Sequence, residues 1–144
     1  MSDRSMEDLS PVAHAKLADF VDSATKVGID VLITCTYRTI AEQDAIYAQG
    51  RSVPGHIITN ARGGDSFHNY RCAIDVVVMR SGKPLWSVFA PDGTMEPEWQ
   101  KLGELAAAQG VEWAGTWEHF KEYAHFQYTG GLSLADFKAG KELK

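Results

Sequence analysis

Ala73-Ile74-Asp75-Val76-Val77-Val78-Met79, followed by Arg80-Ser81-Gly82-Lys83, is the stretch on which the fold turns. An apolar run this short, rich in branched residues and bounded by a turn, reads as a buried strand. The turn sends the chain toward Leu85 to Phe89, so an antiparallel hairpin is predicted. Asp75 interrupts the run. A carboxylate in an apolar strand is costly to bury unless it is paired or bound to a metal, so Asp75 is half of a structural ion pair or a ligand.

Upstream, residues 50 to 67 carry Pro54, Gly55, Gly63 and Gly64 with little periodicity, the composition of a long surface loop. Before it, Ser10 and Pro11 open a helix whose Val12, Leu17, Phe20, Val21, Ala24 and Val27 recur at helical spacing until Gly28. Ile29 to Cys35 reads as a buried strand, and Thr39-Ile40-Ala41-Glu42 as a capping box for a second helix with Ala45, Ile46 and Ala48 facing inward. Downstream, Pro97 starts a third helix carrying Trp99, Leu102, Leu105 and Ala106 up to Gly110. Val111 to Trp113 is a short strand, then Trp117, Phe120, Tyr123, Phe126 and Tyr128 crowd together before a brief helix capped by Ser133. Helices interleaved with hairpin strands give an α+β fold with a small antiparallel sheet flanked by helices.

The 144 residues suit a single domain, 1–144, with one core. A hydrophobic content of 44% with 23% charged residues is ordinary for a globular protein, and no stretch has the length of a membrane span. The net charge of -5 offers no basic footprint, which argues against nucleic acid as a partner. Met1 to Asp8 is polar and acidic, without the features of a secretory signal, so synthesis in the cytoplasm is expected. A monomer is expected. Cys35 and Cys72 stand apart in sequence and read as small buried residues; a disulfide between them would require an oxidising compartment.

His68, in Ser66-Phe67-His68-Asn69-Tyr70, lies shortly before Asp75, and Glu122-Tyr123-Ala124-His125 supplies a second imidazole and a further acid. Two imidazoles and one carboxylate with a coordination position left open suit a catalytic zinc, and Glu122 remains as a base. Amide hydrolysis is the chemistry implied. Each half is weak alone, because a histidine is often a hydrogen-bonded core residue and a glutamate often a solvated acid. Glu118 and His119 lie close by, and His119 could replace His125. Asp92 and Glu96 lack the alternation of a calcium loop.

Further segments carry a resemblance: Tyr37-Arg38-Thr39 with Glu42-Gln43 and Tyr47-Ala48-Gln49-Gly50-Arg51; Thr59-Asn60-Ala61 with Gly63-Gly64; Ser66 to Tyr70 with Ala73-Ile74-Asp75; and Trp113 with Phe120-Lys121-Glu122 and His125-Phe126. In this order they resemble the zinc D-Ala-D-Ala carboxypeptidase and L-alanyl-D-glutamate peptidase superfamily (peptidase M15, VanY-like), most closely its phage endolysin branch. The resemblance implies a Hedgehog/DD-peptidase-like fold and zinc bound by His68, Asp75 and His125. It makes Glu122 the catalytic base, assigns Arg38 to substrate binding and stabilisation of the reacting carbonyl, and places Ser66 in the substrate cleft. The implied substrate is the peptidoglycan stem peptide, cut between L-Ala and D-Glu, with wall degradation and host lysis as the outcome. The alternatives are a D-Ala-D-Ala carboxypeptidase or dipeptidase with the same zinc site, and a non-catalytic wall-binding module. Two departures stand out: Arg71 where relatives commonly have glycine, and Ala124 where proline is common. If position 71 needs a positive φ, arginine is strained there, and it is expected to reshape the cleft or its specificity.

Overall fold

In the computed structural model, which describes residues 3–144, the run beginning at Ala73 becomes the central strand of an antiparallel sheet. The strands are β1 (Asp30–Cys35), β2 (Ala73–Arg80), β3 (Lys83–Leu85), β4 (Glu112–Trp113) and β5 (His125–Gln127). The helices are α1 (Pro11–Lys26), α2 (Ile40–Ala48), α3 (Pro97–Ala108) and α4 (Leu134–Lys138). Along the sheet the order is β1-β2-β5-β4, with β3 also paired to β2. One edge of β2 carries β1; the other carries β5 against Ala73–Asp75 and β3 against Val78–Arg80.

This placement explains the composition of β2. Successive side chains of a strand alternate between faces, and both faces here are covered: Ile74, Val76, Val77 and Val78 are all buried. Ala13, Leu17, Phe20 and Ala24 of α1 join Trp99, Leu102 and Ala106 of α3 in the core with them. Phe126 of β5 ties the layers together, with its ring 4.7 Å from that of Phe20 and stacked at 5.9 Å on that of Trp113. The result is the α+β architecture expected from the sequence.

Several local expectations are corrected. β3 ends at Leu85 rather than Phe89, because residues 88–96 close on themselves through Glu96 N–H to Val88 O and Ala90 N–H to Thr94 O. β1 is an edge strand, with Leu32 46% exposed, and a bulge breaks its register between Ile33 and Cys35. In α2 the buried residue is Gln43; Ala45 is exposed, and Ile46 and Ala48 are only partly covered. Val27 lies just beyond α1 and is exposed. Ser10 does not cap α1 with its side chain; its hydroxyl donates to the Arg71 carbonyl. The capping boxes at Thr39 and Ser133 form as expected.

Candidate active site

Sheet register builds the site. Asp75 on β2 lies opposite Cys35 on β1 and opposite His125 on β5, so one row across the sheet holds all three. His68 arrives from a 3-10 turn, Phe67–Tyr70, whose start is capped by Ser66 and Asn69 acting reciprocally. Asn69 also donates to the Arg38 carbonyl at 2.9 Å, and Arg38 N–H donates to the His68 carbonyl at 3.2 Å. The turn is thereby fastened to the end of β1.

Three ligand-type atoms converge. His68 Nε2 lies 3.1 Å from Asp75 Oδ1, His125 Nδ1 lies 3.3 Å from the same oxygen, and the two nitrogens are 3.2 Å apart. The opposite ring nitrogens are already committed: His68 Nδ1 faces the Thr36 carbonyl at 2.9 Å, and His125 Nε2 faces Gln127 Oε1 at 2.7 Å. Both oxygens can accept, and with protons on those outer nitrogens the converging nitrogens of neutral rings present lone pairs. Two lone pairs and a carboxylate at this separation suit a cation between them. A tetrahedral zinc with bonds of about 2.0–2.1 Å sets its ligands about 3.3–3.4 Å apart, close to the spacing seen. The donor set therefore fits zinc.

A proton is the alternative cation. Burial alone would lower the His68 pKa, but the Asp75 carboxylate beside it raises it to about 10. Burial likewise disfavours ionised Asp75, yet the His68 and His125 rings hold its carboxyl well below the usual range. Cys35, His68 and Asp75 also fall within 4.8 Å of one another. The Cys35 thiol, however, faces His68 Nδ1 at 3.6 Å, the nitrogen turned toward Thr36, so His125 completes the better ligand set.

A cleft of about 420 Å³ opens over this centre. Arg38, Ser66 and Glu122 line it beside the three converging residues, with Ile58, Trp117 and Leu134 among the apolar walls. Glu122 is half exposed, with Oε2 3.8 Å from His125 Nδ1. Arg38 Nη1 donates to Gln43 Oε1 at 2.9 Å, and Nη2 donates to Cys35 Sγ at 3.4 Å. Gln43 is wholly buried and its amide donates to the Ala61 carbonyl and the Thr59 hydroxyl, tying Arg38 to the loop that carries them. His119 and Glu118 are exposed and do not line the cleft, whereas His125 does.

Arg71 does adopt a left-handed backbone, φ 60° and ψ 35°. Its guanidinium stacks on Tyr37 at 3.8 Å and donates to the Asp8 carbonyl, so its side chain serves the N-terminal segment and is absent from the cleft lining. Its side chain does not enter the cleft. Asp92 bonds to Thr94 within its own turn, and Glu96 pairs with Arg80, so neither belongs to a metal site. Both cysteines are free and buried.

Sequence reasoning left Gln43 and Gln127 unassigned. The signal for Gln127 was present as His-Phe-Gln on a strand, because residues two apart share a face. Gln43 was less legible. An amide on a short helix reads as solvated until the loop it anchors is in place.

Residues 59–128 match the peptidase M15 family model described as D-alanyl-D-alanine carboxypeptidase. The chain is 39% identical over 123 residues to the peptidoglycan L-alanyl-D-glutamate endopeptidase CwlK of Bacillus subtilis (strain 168), an overlap of 83% of this chain and 73% of CwlK. The L-Ala D-Glu endopeptidase ChiX of Serratia marcescens shares the fold with a TM-score of 0.58 at 21% identity, covering 90% of this chain and 89% of ChiX. So does the D,D-pentapeptidase VanY of the VanB-type resistance cassette, an E175A mutant solved with Zn(II), with a TM-score of 0.59 at 19% identity over 90% of this chain and 83% of VanY. With identity to CwlK sustained across most of both chains, this protein belongs to the M15 peptidases.

Proposed function

We propose that this chain is a zinc peptidase that hydrolyses the L-Ala–D-Glu amide bond of peptidoglycan stem peptides. The observation that carries the reading is the convergence of His68 Nε2, Asp75 Oδ1 and His125 Nδ1 beneath a cleft that also holds Glu122. His68, Asp75 and His125 would hold the metal, in keeping with the Zn(II) found in VanY. When bound, zinc supplies Lewis-acid polarisation to the reacting carbonyl and to the attacking water.

The other tasks fall to the protein. Glu122, half exposed at the cleft, takes a proton as the water oxygen bonds to the scissile carbonyl carbon. It returns that proton to the leaving amine nitrogen as the C–N bond breaks. Arg38, held by Gln43, presents a planar cation that can grip a stem-peptide carboxylate bidentately or face the developing oxyanion. Ser66 lines the same cleft, where its backbone is fixed by the Asn69 cap. Identity to CwlK favours the L-Ala–D-Glu bond.

The family model's description favours a second reading, a D-Ala-D-Ala carboxypeptidase or dipeptidase using the same centre. Release of D-alanine from a stem peptide ending in D-Ala-D-Ala would support it. The order of motifs supports a phage-type lysis enzyme acting on the wall. Among the described residues no helix is long and apolar enough to cross a membrane. Chelation tests the core of the proposal: it should abolish wall hydrolysis and zinc should restore it. Hydrolysis that survives chelation, with metal loss confirmed by elemental analysis, would overturn the mechanism.

A further inference from the structure

Gln127 sits where β5 is paired on both sides, opposite Ala73 of β2 and Glu112 of β4, so its backbone is fixed. It shares a face of β5 with His125, is buried, and brings Oε1 to 2.7 Å from His125 Nε2. His68 receives the corresponding contact from a main-chain carbonyl, that of Thr36. Gln127 is thus the side chain that faces the outer nitrogen of His125, and it is an uncharged amide where a carboxylate would also fit the chemistry.

We infer that Gln127 is a positioning residue that fixes His125 as its Nε2–H tautomer and so turns the Nδ1 lone pair toward His68 and Asp75. The inference rests on the zinc reading for its consequence, but not for the tautomer itself. An amide oxygen accepts the Nε2 proton without drawing it off, whereas a carboxylate in its place would make Nδ1 more electron-rich.

Long-range proton–nitrogen NMR of the full chain, metal-free and zinc-loaded, at a pH where the ring is neutral, reads the tautomer directly. His125 is expected as Nε2–H in both forms. In Gln127→Met the metal-free ring should populate both tautomers, and zinc affinity measured by chelator competition should fall by about 10- to 100-fold. Gln127→Glu should keep the Nε2–H tautomer, bind zinc at least as tightly as the wild type, and turn over more slowly. An Nδ1–H tautomer in the wild type would overturn the inference, as would a Gln127→Met protein with unchanged tautomer and zinc affinity. If Gln127→Met fails to fold, the wild-type spectrum still decides. Failure of the wild type to bind zinc would sink the metal reading, while the tautomer would still report on Gln127.

Discussion

His68 and His125 approach from different elements, one from a 3-10 turn and one from β5, and bring Nε2 and Nδ1 to 3.2 Å beside a shared carboxylate oxygen of Asp75. Their outer nitrogens are held by Thr36 and Gln127, so the rings cannot turn away without breaking buried hydrogen bonds. Local structure thus fixes this geometry without a metal.

That geometry links metal uptake to pH. In metal-free protein the His68 pKa stands at about 10, above its ordinary value of 6.5. A raised folded-state pKa gives stability that is fully present below the unfolded value and is lost as pH rises through the folded one. The melting temperature of metal-free protein should therefore fall between pH 7 and pH 10 by His68's contribution, while zinc affinity rises over the same interval as the competing proton leaves. Asp75, with its pKa lowered, contributes in the opposite sense, losing its stabilisation as pH falls below the carboxylate range. Isothermal titration in buffers of different ionisation enthalpy should detect proton release on zinc binding at pH 7. Zinc binding at neutral pH with no proton released would contradict this assignment.

Glu122 is half exposed and belongs to no buried network, so its removal should spare the fold. Glu122→Ala should lower kcat/KM for wall hydrolysis by about 10²- to 10⁴-fold with zinc content unchanged. Elemental analysis beside the activity assay separates loss of the base from loss of the metal. Full activity would remove Glu122 from the mechanism.

Gln43 joins Arg38 to Thr59 and Ala61 from a fully buried position. Gln43→Leu would remove its amide from these partly buried groups, at a cost of about 0.5–1.5 kcal/mol for each hydrogen bond lost. Thermal unfolding should show a lowered midpoint, and the folded fraction should have impaired catalysis because Arg38 loses the Gln43 contact. Unchanged stability would mean that the loop does not depend on this anchor.

Arg71 offers a separable test. A left-handed backbone at a residue other than glycine costs about 1–2 kcal/mol, and a cation stacked on a partly exposed aromatic such as Tyr37 returns about 0.5–1 kcal/mol. Arg71→Ala keeps the strain and loses the Tyr37 contact, whereas Arg71→Gly relieves the strain as well. Denaturant unfolding should rank Gly above Ala by about 1 kcal/mol, with wall hydrolysis retained in both. A large activity loss in either would tie Arg71 to the cleft after all.

Much of this arrangement was readable in advance where local chemistry dominates. The apolar run at Ala73, the capping box at Thr39 and the glycine stop after α1 each declare themselves within a few residues. The convergence at Asp75 was legible because a lone aspartate in a buried strand has few explanations. Reading failed where tertiary contacts decide. β1 resembles a central strand by composition but lies at an edge, and the inward residue of α2 is an amide. The Arg71 backbone was correctly suspected, but its side chain turns to Tyr37, a direction that sequence spacing does not encode.

The most direct measurement is mass spectrometry of purified muropeptides after digestion by the zinc-loaded protein. Separation of L-Ala from D-Glu, absent in the chelated control and in Glu122→Ala, is the expected result. Release of terminal D-Ala with the L-Ala–D-Glu bond intact would contradict the bond assignment, and binding to the wall without any cleavage would contradict the peptidase itself.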